Sequence, residues 1–317
     1  MPYRRLVAGV VLAAGLCLGQ GQPAPPKDEL RISASVDRVV LPVTVVDGRD
    51  RIVANLTKDN FRIYDEGRLV AIHDFSQRDI PLTVGLVVDS STSMRPKREH
   101  AILAALSFVR LSNPEDEAFV VNFNERVSFG LRQPFSADPD QLRAAFLKVP
   151  CEGRTALYDA VVAATEHLAL GTRDKKALIL VSDGGDNSSR HDLRQALEAI
   201  QRSEAIVYTI GLYDDQDPER NPGVLRQLAR ASGGEAFFPQ RSTELPDILA
   251  HIAELLRSQY TITFAPVNDG RDDRYRHVRV IATPLGRRHQ LVRGLVVRTR
   301  AGYYAPKIEN VAEGAGR

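Results

Sequence analysis

The sequence predicts an α/β fold: a doubly wound, mostly parallel sheet flanked by helices, with a small β-sandwich-like domain built from both ends of the chain. Continuous apolar runs such as Leu82–Val88 and Ala177–Val181 are typical of strands buried on both faces. Between such runs, apolar residues recur at helical spacing over stretches of about 10–15 residues, and this alternation indicates a parallel sheet. The flanks contain only short strand-like runs, which predict the second domain.

The pattern divides the 317 residues into six segments. They are a signal peptide at 1–21, a linker at 22–32, a β-rich segment at 33–79, the α/β domain at 80–258, a second β-rich segment at 259–306 and a disordered tail at 307–317. Neither β-rich segment buries much apolar surface alone. We therefore expect the two to pair as one discontinuous β-sandwich.

The first residues have the layout of a secretory signal. Arg4 and Arg5 precede the apolar run Leu6–Leu18, and small glycines follow it. The run is shorter than the roughly 20 residues that a spanning helix needs. We expect a secreted, periplasmic or cell-envelope protein with no transmembrane span in the mature chain. A retained membrane anchor and lipid attachment at Cys17 are the alternatives.

The charges of the chain do not indicate a nucleic-acid ligand. Lys and Arg number 42 against 40 Asp and Glu, so there is no large net charge. The segment Arg271–Arg300 holds nine arginines, which suggests an anionic partner surface. Because few aromatic residues are interleaved within that segment, solvated strand faces are the favoured interpretation.

Three clusters of oxygen-bearing residues lie in loops that follow predicted strands or precede a helix. They are Asp89–Ser93, Gly153–Thr155 and Ser182–Asp186. In an open α/β sheet, loops at the carboxyl ends of the strands line one crevice, so these loops are expected to converge. The candidate ligands of a metal ion are Asp89, Ser91, Ser93, Thr155 and Asp183. Such hard oxygens suit Mg²⁺, Mn²⁺ or Ca²⁺ rather than zinc or copper.

These three elements resemble the DxSxS, Thr and Asp elements of the metal-ion-dependent adhesion site of von Willebrand factor type A domains. The resemblance implies that Ser91 and Ser93 bind the cation directly and that Thr155 does so in a ligand-competent state. It implies that Asp89 and Asp183 act mainly through water. One coordination position would remain for an Asp or Glu of a protein ligand. Many relatives have Gly where this chain has Thr92, a departure that keeps the ligands and can stiffen the loop.

The flanks carry a narrower resemblance. The β-rich lead-in and the motif Arg300–Pro306 are similar to exported von Willebrand factor A-related proteins of acidobacteria. That resemblance implies no established activity.

The sequence therefore predicts a secreted, non-catalytic protein-binding module of the adhesion type. It would hold one divalent cation, most simply Mg²⁺ with Mn²⁺ or Ca²⁺ as alternatives, and bind a protein ligand with an exposed Asp or Glu. The alternatives are an Mg²⁺-dependent hydrolase and a structural protein of envelope assembly. No phosphate-cradling glycine loop precedes a lysine and no Gly-x-Ser-x-Gly elbow occurs, which argues against an enzyme.

Simpler interpretations stand beside the site. Ser93 and Asp183 alone would fit helix capping. For Asp186 and Asn187, turn or cap roles are favoured over contacts around the cation.

Three other features carry less. For the acidic loop of Asp214, Asp215 and Asp217, a solvated loop is favoured over a second calcium site. Cys151 is expected to be the only cysteine after signal removal, either as a half-buried small hydrophobe or as a reactive free thiol. The histidines are scattered without the spacing of metal ligands.

Overall fold

The computed structural model describes residues 38–111, 113–212, 220–267, 273–283 and 294–305, all of which fall in one unit, Val36–Arg317. The predicted signal peptide, linker and tail, and the acidic loop of Asp214, Asp215 and Asp217, lie outside these residues. Among the helices in these ranges, none combines the length and apolar character that crossing a membrane requires.

The N-terminal flank forms four strands. They are β1 (Val39–Val46), β2 (Phe61–Asp65), β3 (Arg68–Val70) and β4 (Ile72–Ser76). In β1 and β2, residues on one face are buried and their neighbours are more exposed, as the period of a half-buried strand requires.

The α/β part alternates strands and helices. Its strands within the described ranges are β5 (Leu82–Asp89), β6 (Glu117–Phe123), β7 (Val127–Phe129), β8 (Lys175–Ser182), β9 (Ile206–Gly211) and β10 (Ala236–Phe237). Its helices there are α1 (Arg98–Leu111), α2 (Pro139–Phe146), α3 (Leu157–Leu168), α4 (Leu193–Arg202), α5 (Pro222–Ser232) and α6 (Leu245–Arg257). Local signals set several helix ends: the Asp192 side chain caps the first turn of α4, and Gly233 ends α5 in the left-handed conformation.

The six strands form one sheet in the order β10-β9-β8-β5-β6-β7. All neighbours pair in parallel except β6 and β7, which are antiparallel. From β5, the chain adds β6 on one side and later β8 on the other, so the topological switch lies at the carboxyl end of β5. Every residue of β5 is buried, because helices cover both faces of the sheet.

The C-terminal flank returns to the strands of the N-terminal flank. Its strands are β11 (Tyr260–Phe264), β12 (Tyr275–Ala282), β13 (Val296–Arg298) and β14 (Gly302–Tyr304). One antiparallel sheet has the order β13-β1-β11-β4, and a second has the order β14-β12-β2-β3. Their inner faces share one apolar core that includes Leu41, Ile63 and Ile262. The predicted fold class is confirmed: a mostly parallel α/β sheet with additional antiparallel sheets from the flanks.

Two predicted elements need correction. The helix after Asp138 was expected to run to Val149 but ends at Phe146. Pro150 disfavours helical backbone at Val149, and Lys148 donates to the Gly130 carbonyl at 2.5 Å. Strand β14 was not expected. It is only three residues long, and at Gly302 an added Cβ would lie 2.3 Å from the Arg276 carbonyl oxygen, so only glycine fits that close approach.

Candidate functional site

Asp89 is the last residue of β5 and is fully buried. Its Oδ1 accepts a hydrogen bond from the Ser91 amide at 2.8 Å, and its Oδ2 accepts one from the Ser182 hydroxyl at 2.7 Å. Burial raises the pKa of Asp89 to about 7, and the nearby charge of Asp183 raises it further. Within the described ranges, no Lys, Arg or His forms an ion pair with this carboxylate.

Hydrogen bonds join the first and third predicted loops. The hydroxyl oxygens of Ser91 and Ser93 lie 3.1 Å apart, and Ser93 Oγ donates to Asp183 Oδ2 at 2.5 Å. The other Asp183 oxygen accepts from the Gly185 amide at 2.9 Å. These contacts form a continuous row of oxygens from Ser91 to Asp183 at the carboxyl ends of β5 and β8.

Ser91 directly precedes a short 3₁₀ turn, Thr92–Met94, but its side chain makes no capping hydrogen bond to it. Asp183 accepts from an amide two residues ahead, which is an Asx-type turn. Capping therefore does not account for the contact between the Ser91 and Ser93 hydroxyls, nor for the bond from Ser93 to Asp183.

Gly184 fixes the path of the loop that carries Asp183. Its φ is +85°, and an added Cβ would lie 2.5 Å from the Asn221 carbonyl oxygen. Any other residue would both strain the backbone and displace the start of α5. The Asn221 amide donates to the Asp183 carbonyl at 3.0 Å, so the loop is held from both sides.

Thr155 joins this region through its backbone. It is 2% exposed, and its amide donates to Asn187 Oδ1 at 2.9 Å. Its loop is tied to the first loop, because the Thr92 hydroxyl donates to the Gly153 carbonyl at 3.1 Å. Among the described residues, no hydrogen bond joins the Thr155 hydroxyl to the other four candidate residues.

Asp186 and Asn187 hold neighbouring backbone, as favoured from the sequence. Asp186 Oδ1 accepts from the Tyr158 amide in the first turn of α3 at 3.3 Å and from the Ser189 hydroxyl at 2.5 Å. The Asn187 side chain accepts from the Thr155 amide. The sequence did not single out Ser182 as a partner of Asp89. Only its place in the Ser182–Asp186 cluster hinted at that contact.

Cys151 lies directly beside the first loop. Its thiol donates to the Ser91 carbonyl at 2.9 Å. Burial raises the pKa of Cys151, with the guanidinium of Arg98 acting in the opposite direction. A raised pKa keeps the group a thiol, so of the two interpretations the half-buried small side chain is favoured over the reactive one.

A second acidic cluster was missed from the sequence. Asp50, Glu235 and His251 bring one potential ligand atom each within 4.8 Å of one another. Arg298 lies 2.7 Å from both Asp50 and Glu235, so a guanidinium already compensates these carboxylates. The four residues come from distant parts of the chain, and no sequence pattern connects them.

Two clefts of about 450 and 430 Å³ lie away from the five candidate residues. The larger one is lined by Leu82 and Lys175, at the opposite ends of β5 and β8 from Asp89 and Ser182. None of the five candidates lines either cleft.

The fold and the polar loops at its switch point define a doubly wound α/β protein with a polar site at the carboxyl edge of its sheet. Residues 84–185 match the model of the von Willebrand factor type A domain family, and the chain contains a domain of this family. The match extends from β5 to the loop that carries Asp183. It supports a protein-interaction module, and domains of this family often bind a divalent cation.

Solved structures show the same fold. A von Willebrand factor type A protein from Catenulispora acidiphila is 16% identical with a TM-score of 0.50, covering 79% of this chain and 74% of that one. BatB from Bacteroides thetaiotaomicron is 17% identical with a TM-score of 0.45, covering 55% and 98%. The vWF domain of the type V pili tip protein Mfa5 from Porphyromonas gingivalis is 15% identical with a TM-score of 0.47, covering 56% and 95%. No curated protein matches the chain significantly.

Proposed function

We propose that this protein is an exported adhesion-type module that binds a protein ligand through one divalent cation. The cation would be held by Asp89, Ser91, Ser93, Thr155 and Asp183. The observation that carries the proposal is the row of oxygens from Ser91 through Ser93 to Asp183, beside the buried Asp89. The cell envelope, the periplasm or the exterior would be its place of action.

The residues fit a hard dication. Two buried carboxylates lie close enough that the charge of Asp183 raises the pKa of Asp89, and a cation would relieve that repulsion. The remaining donors are hydroxyl oxygens, which suit Mg²⁺, Mn²⁺ or Ca²⁺. Because hydroxyls are neutral, five such ligands would leave positive charge on the ion. That residual charge favours an exposed Asp or Glu of a partner protein.

The hydrolase alternative lacks support from the site. General acid–base catalysis needs a titratable side chain within hydrogen-bond reach of the reacting group. Among the described residues that hydrogen-bond to the five candidates, none is a histidine or a lysine. Binding therefore accounts for the arrangement better than hydrolysis does.

Cation binding is tested by thermal and urea unfolding of the purified chain in Mg²⁺ and in EDTA. At a hundredfold excess over the dissociation constant, Mg²⁺ should raise the free energy of unfolding by about 2.7 kcal/mol. Ser91→Ala should lose this increment. The matched control is Ser107→Ala, because that hydroxyl is exposed on α1 and bonds only to the Leu103 carbonyl. Equal Mg²⁺ responses in all three proteins would contradict the proposed site.

Ligand binding is tested by capture from envelope extract with the wild-type chain and with Ser91→Ala, each in Mg²⁺ and in EDTA. We expect one protein to be retained by the wild type in Mg²⁺ alone, and its binding to fall when its exposed acidic residues are replaced. If Mg²⁺ stabilises the chain but the same protein is retained in EDTA, the cation is structural and the adhesion function is wrong.

A further inference from the structure

The outer face of the sheet β14-β12-β2-β3 has an unusual composition. Strand alternation places Ile63, Val280 and Tyr303 on the inner face, where they are buried. The same alternation and the strand register bring eight side chains together on the other face, which we name the tyrosine–arginine face. They are Arg62, Tyr64, Leu69, Tyr275, His277, Arg279, Ile281 and Tyr304.

No Asp or Glu is among the outward residues of these four strands as described. Arg62 and Arg279 form no ion pair within the part of the chain that the structure describes. The nearest acids are already engaged: Glu66 accepts the His277 amide at 2.5 Å, and Asp273 pairs with Arg202 at 2.8 Å. The face therefore presents uncompensated positive charge.

The tyrosine rings are already in contact with other groups. The Arg202 guanidinium lies 3.8 Å from the centre of the Tyr304 ring, and that of Arg279 lies 5.1 Å from the centre of the Tyr64 ring. Tyr275 meets Tyr304 and His277 at steep angles, with ring centres 5.3 and 5.4 Å apart. Nucleic-acid bases need open ring faces for stacking, and here the arginines cover them. The arginines in turn are held in place, which lowers the entropy cost of binding a carboxylate.

Apolar side chains complete the face. Leu69 is 60% exposed and Ile281 is 36% exposed. In the strand register Leu69, Tyr64 and Arg279 lie in one row across three strands, with Ile281 opposite Arg62 in the next. Exposed Leu and Ile beside Tyr and Arg match the core of a protein–protein interface, in which Tyr and Arg carry most of the binding energy.

We propose that the tyrosine–arginine face docks an acidic polypeptide segment of a partner protein, independently of the cation site. Arg62 and Arg279 are diagonal neighbours across β2 and β12, a spacing of about 7–8 Å. Alternate side chains of an extended segment are about 6.6 Å apart. Two carboxylates at every second residue would therefore reach both arginines, while an apolar or aromatic residue contacts Leu69.

The test measures fluorescence-anisotropy binding of three labelled probes to the full chain in EDTA, which removes any contribution of the cation site. The probes are a random copolymer of glutamate and tyrosine, poly-L-glutamate and oligo(dT). The copolymer should bind more tightly than either other probe. Arg279→Ala should weaken copolymer binding on the order of tenfold, and Leu69→Ser should weaken the copolymer but leave poly-L-glutamate unchanged.

The matched control is Arg132→Ala, because Arg132 is an exposed arginine of the α/β part and its loss changes the net charge equally. Thermal unfolding verifies that each variant is folded. If Arg132→Ala weakens binding as much as Arg279→Ala, the attraction comes from net charge alone and the proposal is wrong. Tighter binding of oligo(dT) that also depends on Arg279 would make the face a nucleic-acid surface and overturn the proposal.

Discussion

Two acidic clusters of this protein are neutralised in different ways. At the junction of the flanks with the α/β part, Asp50 and Glu235 share the guanidinium of Arg298, 2.7 Å from each. At the carboxyl edge of the α/β sheet, Asp89 has hydroxyl and amide donors but no ion-pair partner within the described residues. The first cluster is complete within the chain, whereas the second is suited to an ion from outside.

The comparison shows how one chain uses buried acids for two purposes. Arg298 belongs to the C-terminal flank, Asp50 to the N-terminal flank and Glu235 to the α/β part, so this cluster joins three segments. Asp89 is buried at the switch point, where a permanent arginine would fill the position that a ligand needs. Burial of a carboxylate without a cationic partner costs stability, a cost that binding sites commonly bear.

The largest expected effect is that of Arg298→Met. It leaves the Glu235 carboxylate, 22% exposed at the side chain, without its guanidinium. We expect the free energy of unfolding at neutral pH to fall by about 2–3 kcal/mol, below the full value for a buried pair because both side chains keep some exposure. Urea unfolding measures the change, with Arg132→Met as control.

The loss should depend on pH. Burial raises the pKa of Glu235 above its ordinary value of 4.5, and Arg298 opposes that rise. A raised folded-state pKa gives a contribution that is present below 4.5 and is lost as the pH rises through the folded-state pKa. Without Arg298 the pKa of Glu235 rises further, so the deficit of the variant should grow from acidic to neutral pH. A deficit that is constant over this range would contradict the role of Glu235.

A smaller effect of opposite sign is expected for Asp89→Asn. In EDTA the variant removes a buried charge near Asp183 and keeps one acceptor for the Ser91 amide, so it should be more stable by about 1 kcal/mol. In Mg²⁺ it should gain nothing further, whereas the wild type is stabilised. Thermal unfolding in both conditions measures this, and a full Mg²⁺ response in the variant would remove Asp89 from the site.

The smallest effect is expected for Asp50→Asn. Asp50 is 54% exposed at the side chain, and exposed ion pairs contribute little. Its φ of +62° lies in the left-handed region, which Asn tolerates as well as Asp does. We expect a change below about 0.5 kcal/mol in urea unfolding. A loss as large as that of Arg298→Met would mean that Asp50, not Glu235, dominates the cluster.

Much of the α/β fold was predictable because its signals are local. The apolar run of β5 and the helical spacing of α3 depend only on neighbouring residues, and the motif Asp89–Ser93 follows β5 directly. The same locality placed the first and third loops at one sheet edge. The position of the Thr155 hydroxyl was not predictable in this way, because the Thr155 backbone is held by Asn187 from another loop.

The features that sequence reasoning missed arise from contacts between distant residues. Few aromatic residues are interleaved in the arginine-rich segment, since Tyr64 and Tyr304 reach the same face from β2 and β14. Strand alternation also sends Arg276 to the inner face and Arg279 to the outer one, which a count of arginines does not reveal. Strand β14 depends on the tight approach of Gly302 to Arg276 and has no periodic signal.

The pairing of β1 with β11 fixes the order in which the parts of the protein can form. Val39 lies opposite Phe264, and the whole α/β part is inserted between β4 and β11, which are neighbours in the same sheet. During synthesis the inserted part is complete before β11 emerges, while β1 and β4 wait without their partner strand. The inserted part is therefore expected to fold first, and the flanks to close behind it as the last and slowest step.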